Sequence, residues 1–165
     1  MSRATLGAMR ARAVDAAHVE IQVQRARLGE LPALARLQRR GFAHDRGYGL
    51  LTCCMLWCAR QPALLVARDA AGQLVGMAIA DRRHGRTPHG RILNLCVAPE
   101  HRQRGYGRAL LAAAERAVPA ERYVLMVDQK NQPAIALYEA QGYLIAGLEP
   151  NYYGRHRHGL LMQKG

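Results

Sequence analysis

The 165-residue chain is short of lysine, of acids and of large aromatic rings: Lys130 and Lys164 are its two lysines, Asp and Glu number 12, and there is one Trp and one Phe. With so little lysine, the 24 basic residues that leave a formal charge of +12 are almost all arginine. Arginine suits planar, bidentate recognition of phosphate and carboxylate. The shortage of rings removes the stacking platform of a single-stranded nucleic-acid binder. Charge alone would carry that reading, and a nucleic acid is not expected as partner. Four cysteines are too few for a disulfide scaffold. Cys54 and Cys58 have only His44 as a nearby further ligand, so free thiols and no metal are expected. The longest apolar run, Gly49 to Ala59, contains Thr52 and is about half of the ~20 residues a membrane helix needs. The N-terminus carries Arg3, Arg10 and Arg12 without a continuous apolar stretch or a small-residue cleavage site. No membrane and a cytoplasmic address follow as expectations.

Half of the residues are hydrophobic, which calls for a packed core. Residues 1–17, small, polar and basic, read as a flexible leader, and 18–165 as one domain. His18 to Gln24 alternates as a half-buried strand. Pro32 with Leu31, Leu34 and Leu37 predicts a helix ending at Gly41. The next helix, about Leu50 to Arg60, is apolar nearly all round, so it should sit deep and bury its cysteines. Strands Ala63–Arg68 and Gln73–Ala80 flank a short hairpin loop closed by Gly72. Arg82–His89 reads as a turn, Arg91–Val97 as a third strand, and Gly105–Val118 as a helix. Strand Tyr123–Asp128 precedes a helix from about Gln132 to Gln141, capped by Asn131, started by Pro133 and stopped at Gly142. Strands Tyr143–Leu148 and about His156–Met162 complete the pattern. The fold class is α/β in the α+β sense: a mixed, mostly antiparallel sheet of about seven strands with about four helices.

Chemistry concentrates in the stretch Leu93 to Arg108. A strand gives way to a turn holding Arg102, Gln103 and Arg104, then Gly105, Tyr106, Gly107 and Arg108 open a helix. Glycines let backbone N–H groups approach an anion, and a helix N-terminus adds about half a positive charge. The arrangement is a phosphate cradle. A dinucleotide fingerprint fits less well, because the glycine pair comes late, after an antiparallel meander.

Ile92–Val97, Pro99-Glu100 and Arg102-x-x-Gly105-x-Gly107 resemble the acetyl-CoA motif of the GNAT N-acetyltransferases. Asn131-Gln-Pro-Ala-Ile-Ala-Leu-Tyr138-Glu-Ala-Gln-Gly142-Tyr143 is similar to the family's closing motif. Together with Asn151-Tyr152-Tyr153, these runs resemble the branch of ribosomal-protein alanine and protein N-terminal acetyltransferases. The resemblance implies acetyl-CoA as co-substrate, with its pyrophosphate on residues 102–108 and its pantetheine laid along Leu95, Cys96 and Val97 in a splayed strand pair. It makes the Val97 backbone N–H an oxyanion donor and Tyr138 the acid that protonates the leaving thiolate. Asn131 would touch the cofactor, and Asn94, Tyr152 and Tyr153 the acceptor.

The base departs from the pattern. The branch's glutamate falls at Met126, which accepts no proton. Asp128, two residues on and on the same strand face, could act through a water; Glu100, His101 and Glu149 are the other candidates. An α-amine of pKa ~7.7–8.0 is about one tenth neutral at pH 7, a penalty of roughly 1.2 kcal/mol, against roughly 4.6 kcal/mol for a lysine at ~10.4. A weak base therefore suits an N-terminus. Arg155 and Arg157 beside the tyrosine pair favour acidic residues in the acceptor and repel polyamines. The resulting expectation is direct acetyl transfer to a protein or peptide α-amine by a monomer or homodimer. A small-molecule amine acceptor and a non-catalytic acetyl-CoA-binding module remain open alternatives.

Overall fold

A computed structural model describes residues 21–42, 49–59 and 62–165. The leader, the start of the predicted strand His18–Gln24, and His44 lie outside these residues. The elements are β1 (Val23–Arg25), α1 (Leu31–Gly41), α2 (Leu50–Cys58), β2 (Ala63–Arg68), β3 (Leu74–Arg83), β4 (His89–Val97), α3 (Tyr106–Ala117), β5 (Tyr123–Asp128), α4 (Gln132–Glu139), β6 (Leu144–Glu149) and β7 (Gly159–Lys164). One 7-stranded sheet runs β1-β2-β3-β4-β5-β7-β6. Its pairs are antiparallel except β4 with β5, which is parallel.

Each face of the sheet buries an apolar helix stripe. Leu110, Leu111 and Ala114 of α3, with Ile135 and Tyr138 of α4, pack on Ala78, Ile92 and Leu125. Leu31, Leu34 and Leu37 of α1, with Cys53 of α2, pack on Met77, Ile79 and Cys96. The predicted order of elements holds, and α4 is bounded by the residues expected: the Asn131 side chain accepts from the Ala134 N–H, and Gly142 takes φ 87°.

Two expectations need correction. The second helix is not deep: α2 buries Cys53 alone, while Leu51 is 75% and Met55 64% exposed. A helix apolar on all sides can bury only the side that meets a neighbour, and here that side meets α1 and the sheet. Cys54 is accordingly half-buried and Cys58 exposed, all four cysteines being free. Nor is Arg82–His89 wholly a turn. The β3–β4 ladder runs on to Arg83 opposite His89, held by a bidentate cross-strand pair in which Arg91 donates to Asp81 at 2.8 and 2.5 Å. Paired in this way, charged residues extend a ladder that their polarity alone argues against.

The feature that builds the site is an irregularity in β4. Ile79 faces Asn94 but Ala80 faces Ile92, so Leu93 is an extra residue in the register. Such a bulge bends its strand. β4 pairs with β5 only from Gly90 to Ile92, whereas β5 stays paired with β7 through Asp128. Beyond the bulge β4 and β5 part.

Candidate active site

The parting opens a cleft of about 450 Å³ lined by Asn94 and Leu95 of β4, Met126 and Asp128 of β5, Tyr138 of α4, and Tyr152 and Tyr153 from the loop before β7. Backbone alternation decides which β4 groups face it. The Ala98 N–H donates to Val75 O on β3 at 2.8 Å, so Cys96, two residues back, also turns its N–H and C=O toward β3. Leu95 and Val97 therefore turn theirs toward the opening. Of the three residues expected along the pantetheine, Cys96 contributes least: its backbone belongs to the ladder and its side chain is buried, with Sγ 3.8 Å from Leu37 O. Burial pushes the Cys96 thiol up to about 12, against the opposing pull of Arg102.

At the end of β4 a short 3-10 turn, Pro99–His101, leads into the loop before α3. Gln103 and Gly105 both take the left-handed region, at φ 59° and 84°. No side chain caps α3, so its first N–H groups face outward, with Arg104 and Arg108 exposed beside them. This geometry fits a phosphate-bearing ligand. Arg102 is placed differently from the expectation, because its guanidinium donates to Val97 O at 3.3 Å and Gly41 O at 3.1 Å. It ties the end of α1 to the end of β4. Tyr106 is buried in the α3 core, which leaves only its backbone for a ligand. Gly107 also has a packing role, since a Cβ there would lie 3.1 Å from Leu137 Cδ2 of α4.

Tyr138 projects from α4 into the cleft and is only 7% exposed. Burial pushes its phenol up to about 12, so it is protonated at neutral pH and is a weaker acid than a phenol in water. Its ring meets Tyr143 edge-on at 5.9 Å. Tyr143, fully buried, donates to Glu115 Oε1 at 2.9 Å, and Lys164 closes on the same carboxylate at 2.8 Å. Burial, followed by Glu115, drives the Tyr143 phenol far above its ordinary range.

Across the cleft, Met126 lines the wall of β5. Asp128 is 6% exposed, with Oδ1 accepting the Lys130 N–H at 2.9 Å and Oδ2 lying 3.4 Å from Arg157. The other carboxylate candidates lie outside the lining: Glu100 is paired with Arg40 at 2.8 Å, and Glu149 is exposed at the end of β6. His101 packs edge-on against Tyr106. Tyr153 donates to Met126 O at 2.8 Å while Tyr152 stands exposed beside it, the two rings 4.9 Å apart. Sequence reasoning missed Gln38, fully buried on α1 and bonded to Asn94. Its position seven residues after Leu31 and four after Leu34 puts it on their helix face, which is the signal that could have found it.

A strand pair thus splays beside a left-handed loop and a helix start that no side chain caps. The sequence matches the acetyltransferase (GNAT) family over residues 30–143, and the chain belongs to that family. It is 33% identical over 137 residues to a mycothiol acetyltransferase of Propionibacterium freudenreichii subsp. shermanii, a match covering 74% of this chain and 43% of the relative. The chain thus spans less than half the length of that relative. Among solved structures, Chaetomium thermophilum Naa20 in complex with a bisubstrate analogue is 27% identical with TM-score 0.71, over 87% of this chain and 85% of that one. The ribosomal-protein-S18-alanine N-acetyltransferase of Escherichia coli shares the fold at 22% identity and TM-score 0.70, over 87% and 92% of the two chains. No helix of the described residues is long and apolar enough to cross a membrane.

Proposed function

We propose that the protein transfers the acetyl group of acetyl-CoA directly to the α-amine of a protein or peptide. The observation that carries this reading is the cleft itself, which Leu95 of β4 and the buried phenol of Tyr138 line together, with the Val97 backbone turned to the same side of the strand as that of Leu95. The pyrophosphate belongs on the loop of Gln103, Gly105 and Gly107 with Arg104 and Arg108, and the pantetheine along Leu95 and Val97. The Val97 N–H serves the thioester oxygen, where negative charge grows as the amine attacks. The amine nitrogen bonds to the acetyl carbon, the C–S bond breaks, Tyr138 gives its proton to the departing thiolate, and the proton shed by the new amide nitrogen passes to water, from which the phenol is restored. Asn131, the cap of α4, borders the same space.

The acceptor supplies its own neutral fraction. Asp128 is committed to Lys130 and Arg157, which makes it a poor partner for an ammonium even through water. An α-amine tolerates this at roughly 1.2 kcal/mol, and a lysine does not. Tyr152 and Tyr153 form the acceptor side of the mouth. With Arg157 tied to Asp128, Arg155 is the exposed arginine beside them that would favour an acidic residue in the acceptor.

The test is incubation with acetyl-CoA and two sets of peptides, one with free N-termini and one N-blocked but lysine-containing, reading thiol release and product mass. Acetylation of the free N-termini alone is expected. Transfer to small amines but to no peptide would favour the second reading, a small-molecule amine acceptor, which the similarity to a mycothiol acetyltransferase supports. Acetyl-CoA binding with no transfer to any amine would leave a binding module.

A further inference from the structure

Gln38 and Asp128 are the two buried polar side chains among the described residues, and the reaction outlined above gives Gln38 no task. A carboxamide removed from water is costly unless its donors and acceptor are met. Gln38 Nε2 lies 3.0 Å from Met77 Sδ and 2.7 Å from Asn94 Oδ1, and its Oε1 lies 3.5 Å from Asn94 Nδ2.

The sulfur fixes the orientation of the whole group. A thioether accepts and never donates, so only the nitrogen end of the Gln38 carboxamide can face Met77. Both N–H bonds of that nitrogen are then used, one toward Met77 and one toward Asn94. Because the second lands on Oδ1, Asn94 turns its oxygen toward α1 and is left with its nitrogen to offer. That nitrogen has one long contact to Gln38 and no other hydrogen bond among the described residues. The bulge at Leu93 sets Asn94 on the wall of the cleft. A donor held there is matched by an oxygen of the substrate and gives nothing to an ammonium.

We propose that Asn94 determines acceptor class by donating a hydrogen bond to a carbonyl oxygen adjacent to the reacting amine. Gln38, locked by Met77, is the positioning residue that keeps Asn94 a donor. The acceptors are then α-amino carbonyl compounds, a class that holds peptide N-termini and amino-acid amides and is favoured over simple alkylamines. This deepens the proposed function and rests on its placing acetyl transfer in this cleft.

The test measures kcat and KM with alaninamide, an alanyl peptide and isopropylamine, each at the same concentration of neutral amine. The proteins are the unaltered chain, Asn94→Asp and Gln38→Glu. Asn94→Asp keeps the bond from Gln38 but presents an acceptor to the cleft. Gln38→Glu cannot donate, so Asn94 turns its nitrogen to the new carboxylate and presents its oxygen. In both variants the kcat/KM ratio of alaninamide to isopropylamine is expected to fall about tenfold, mostly through KM, as for one lost hydrogen bond. A ratio unchanged in both variants, or an equal loss on all three amines, overturns the proposal. If Gln38→Glu does not fold by circular dichroism, Asn94→Asp, which leaves α1 and its core contacts intact, decides alone. Transfer to alaninamide but not to the peptide would sink the N-terminal reading and leave this one standing. Transfer to the peptide with indifference to Asn94→Asp would do the reverse, and transfer to neither carbonyl acceptor would sink both.

Discussion

The Arg157 guanidinium reaches the buried Asp128 carboxylate at 3.4 Å, tying the loop between β6 and β7 to the inner end of β5. That contact and the Lys130 N–H give Asp128, the one carboxylate lining the cleft among the described residues, a structural occupation. The pH dependence of kcat/KM should therefore follow the acceptor. With an alanyl peptide, the rate is expected to rise along a single limb whose midpoint is the peptide's own amine pKa, ~7.7–8.0. Asp128→Asn should lower kcat/KM less than tenfold and leave that midpoint in place. A loss of the 10²–10⁴-fold typical of a general base, with a shifted or vanished limb, would restore Asp128 to the chemistry.

Tyr138 differs in having a proton to give and an environment that keeps it. With the phenol held at about 12, its protonated form persists throughout the working range. Tyr138→Phe is expected to depress kcat by ~10²-fold or more, the contribution of a general acid. The affinity for acetyl-CoA, measured by calorimetry, should change little, because the ring and its edge contact with Tyr143 remain. A large fall in affinity with kcat preserved would make the phenol a binding group.

Alkaline stability follows from the same burial. Tyr138 and Cys96 both have folded pKa values raised to about 12, above the ~10 and ~8.5 of the unfolded chain. Between those limits the folded state holds more protons than the unfolded state, so stability falls as pH rises. Urea midpoints should decline from about pH 9 upward. On the native protein at pH 8 a disulfide reagent should modify the exposed Cys58 readily, while Cys53 and Cys96 wait for unfolding. Rapid labelling of Cys96 in the folded state would contradict its placement.

The elements with strong local signals were legible in the sequence, and the opening between them was not. Asn131, Pro133 and Gly142 mark α4 because caps and turns act over four or five residues. The glycine-rich loop before α3 was readable for the same reason: Gly105 and Gly107 stand where the chain turns into the helix, and its arginines cluster in sequence. The bulge at Leu93 is a mismatch between β3 and β4, and a single strand carries no record of its partner's register beyond a weakened alternation. Arg102 and Cys96 show the same limit. Both stand in the family motif, yet the carbonyls that hold the guanidinium and the strand that claims the Cys96 backbone come from other parts of the chain.

Gly41 supplies the last prediction, on packing at the back of the site. A Cβ built there would fall 2.2 Å from Cys96 Sγ and 3.9 Å from its Cβ, so the end of α1 approaches β4 only because position 41 has no side chain. Gly41→Ala should destabilise the fold by about 1–3 kcal/mol, the usual cost of overpacking a close contact, despite the gain of ~0.5–1 kcal/mol that alanine brings to a helix. Cys96→Ala removes the colliding sulfur and leaves a small void of its own. The double variant should therefore be more stable than Gly41→Ala alone, and a double-mutant cycle in urea should show that coupling directly. Additive effects would mean that α1 relieves the clash by moving. In that case Arg102, which bonds to Gly41 O and Val97 O at once, would be pulled from β4, and the loss would appear in the KM for acetyl-CoA instead of in the stability.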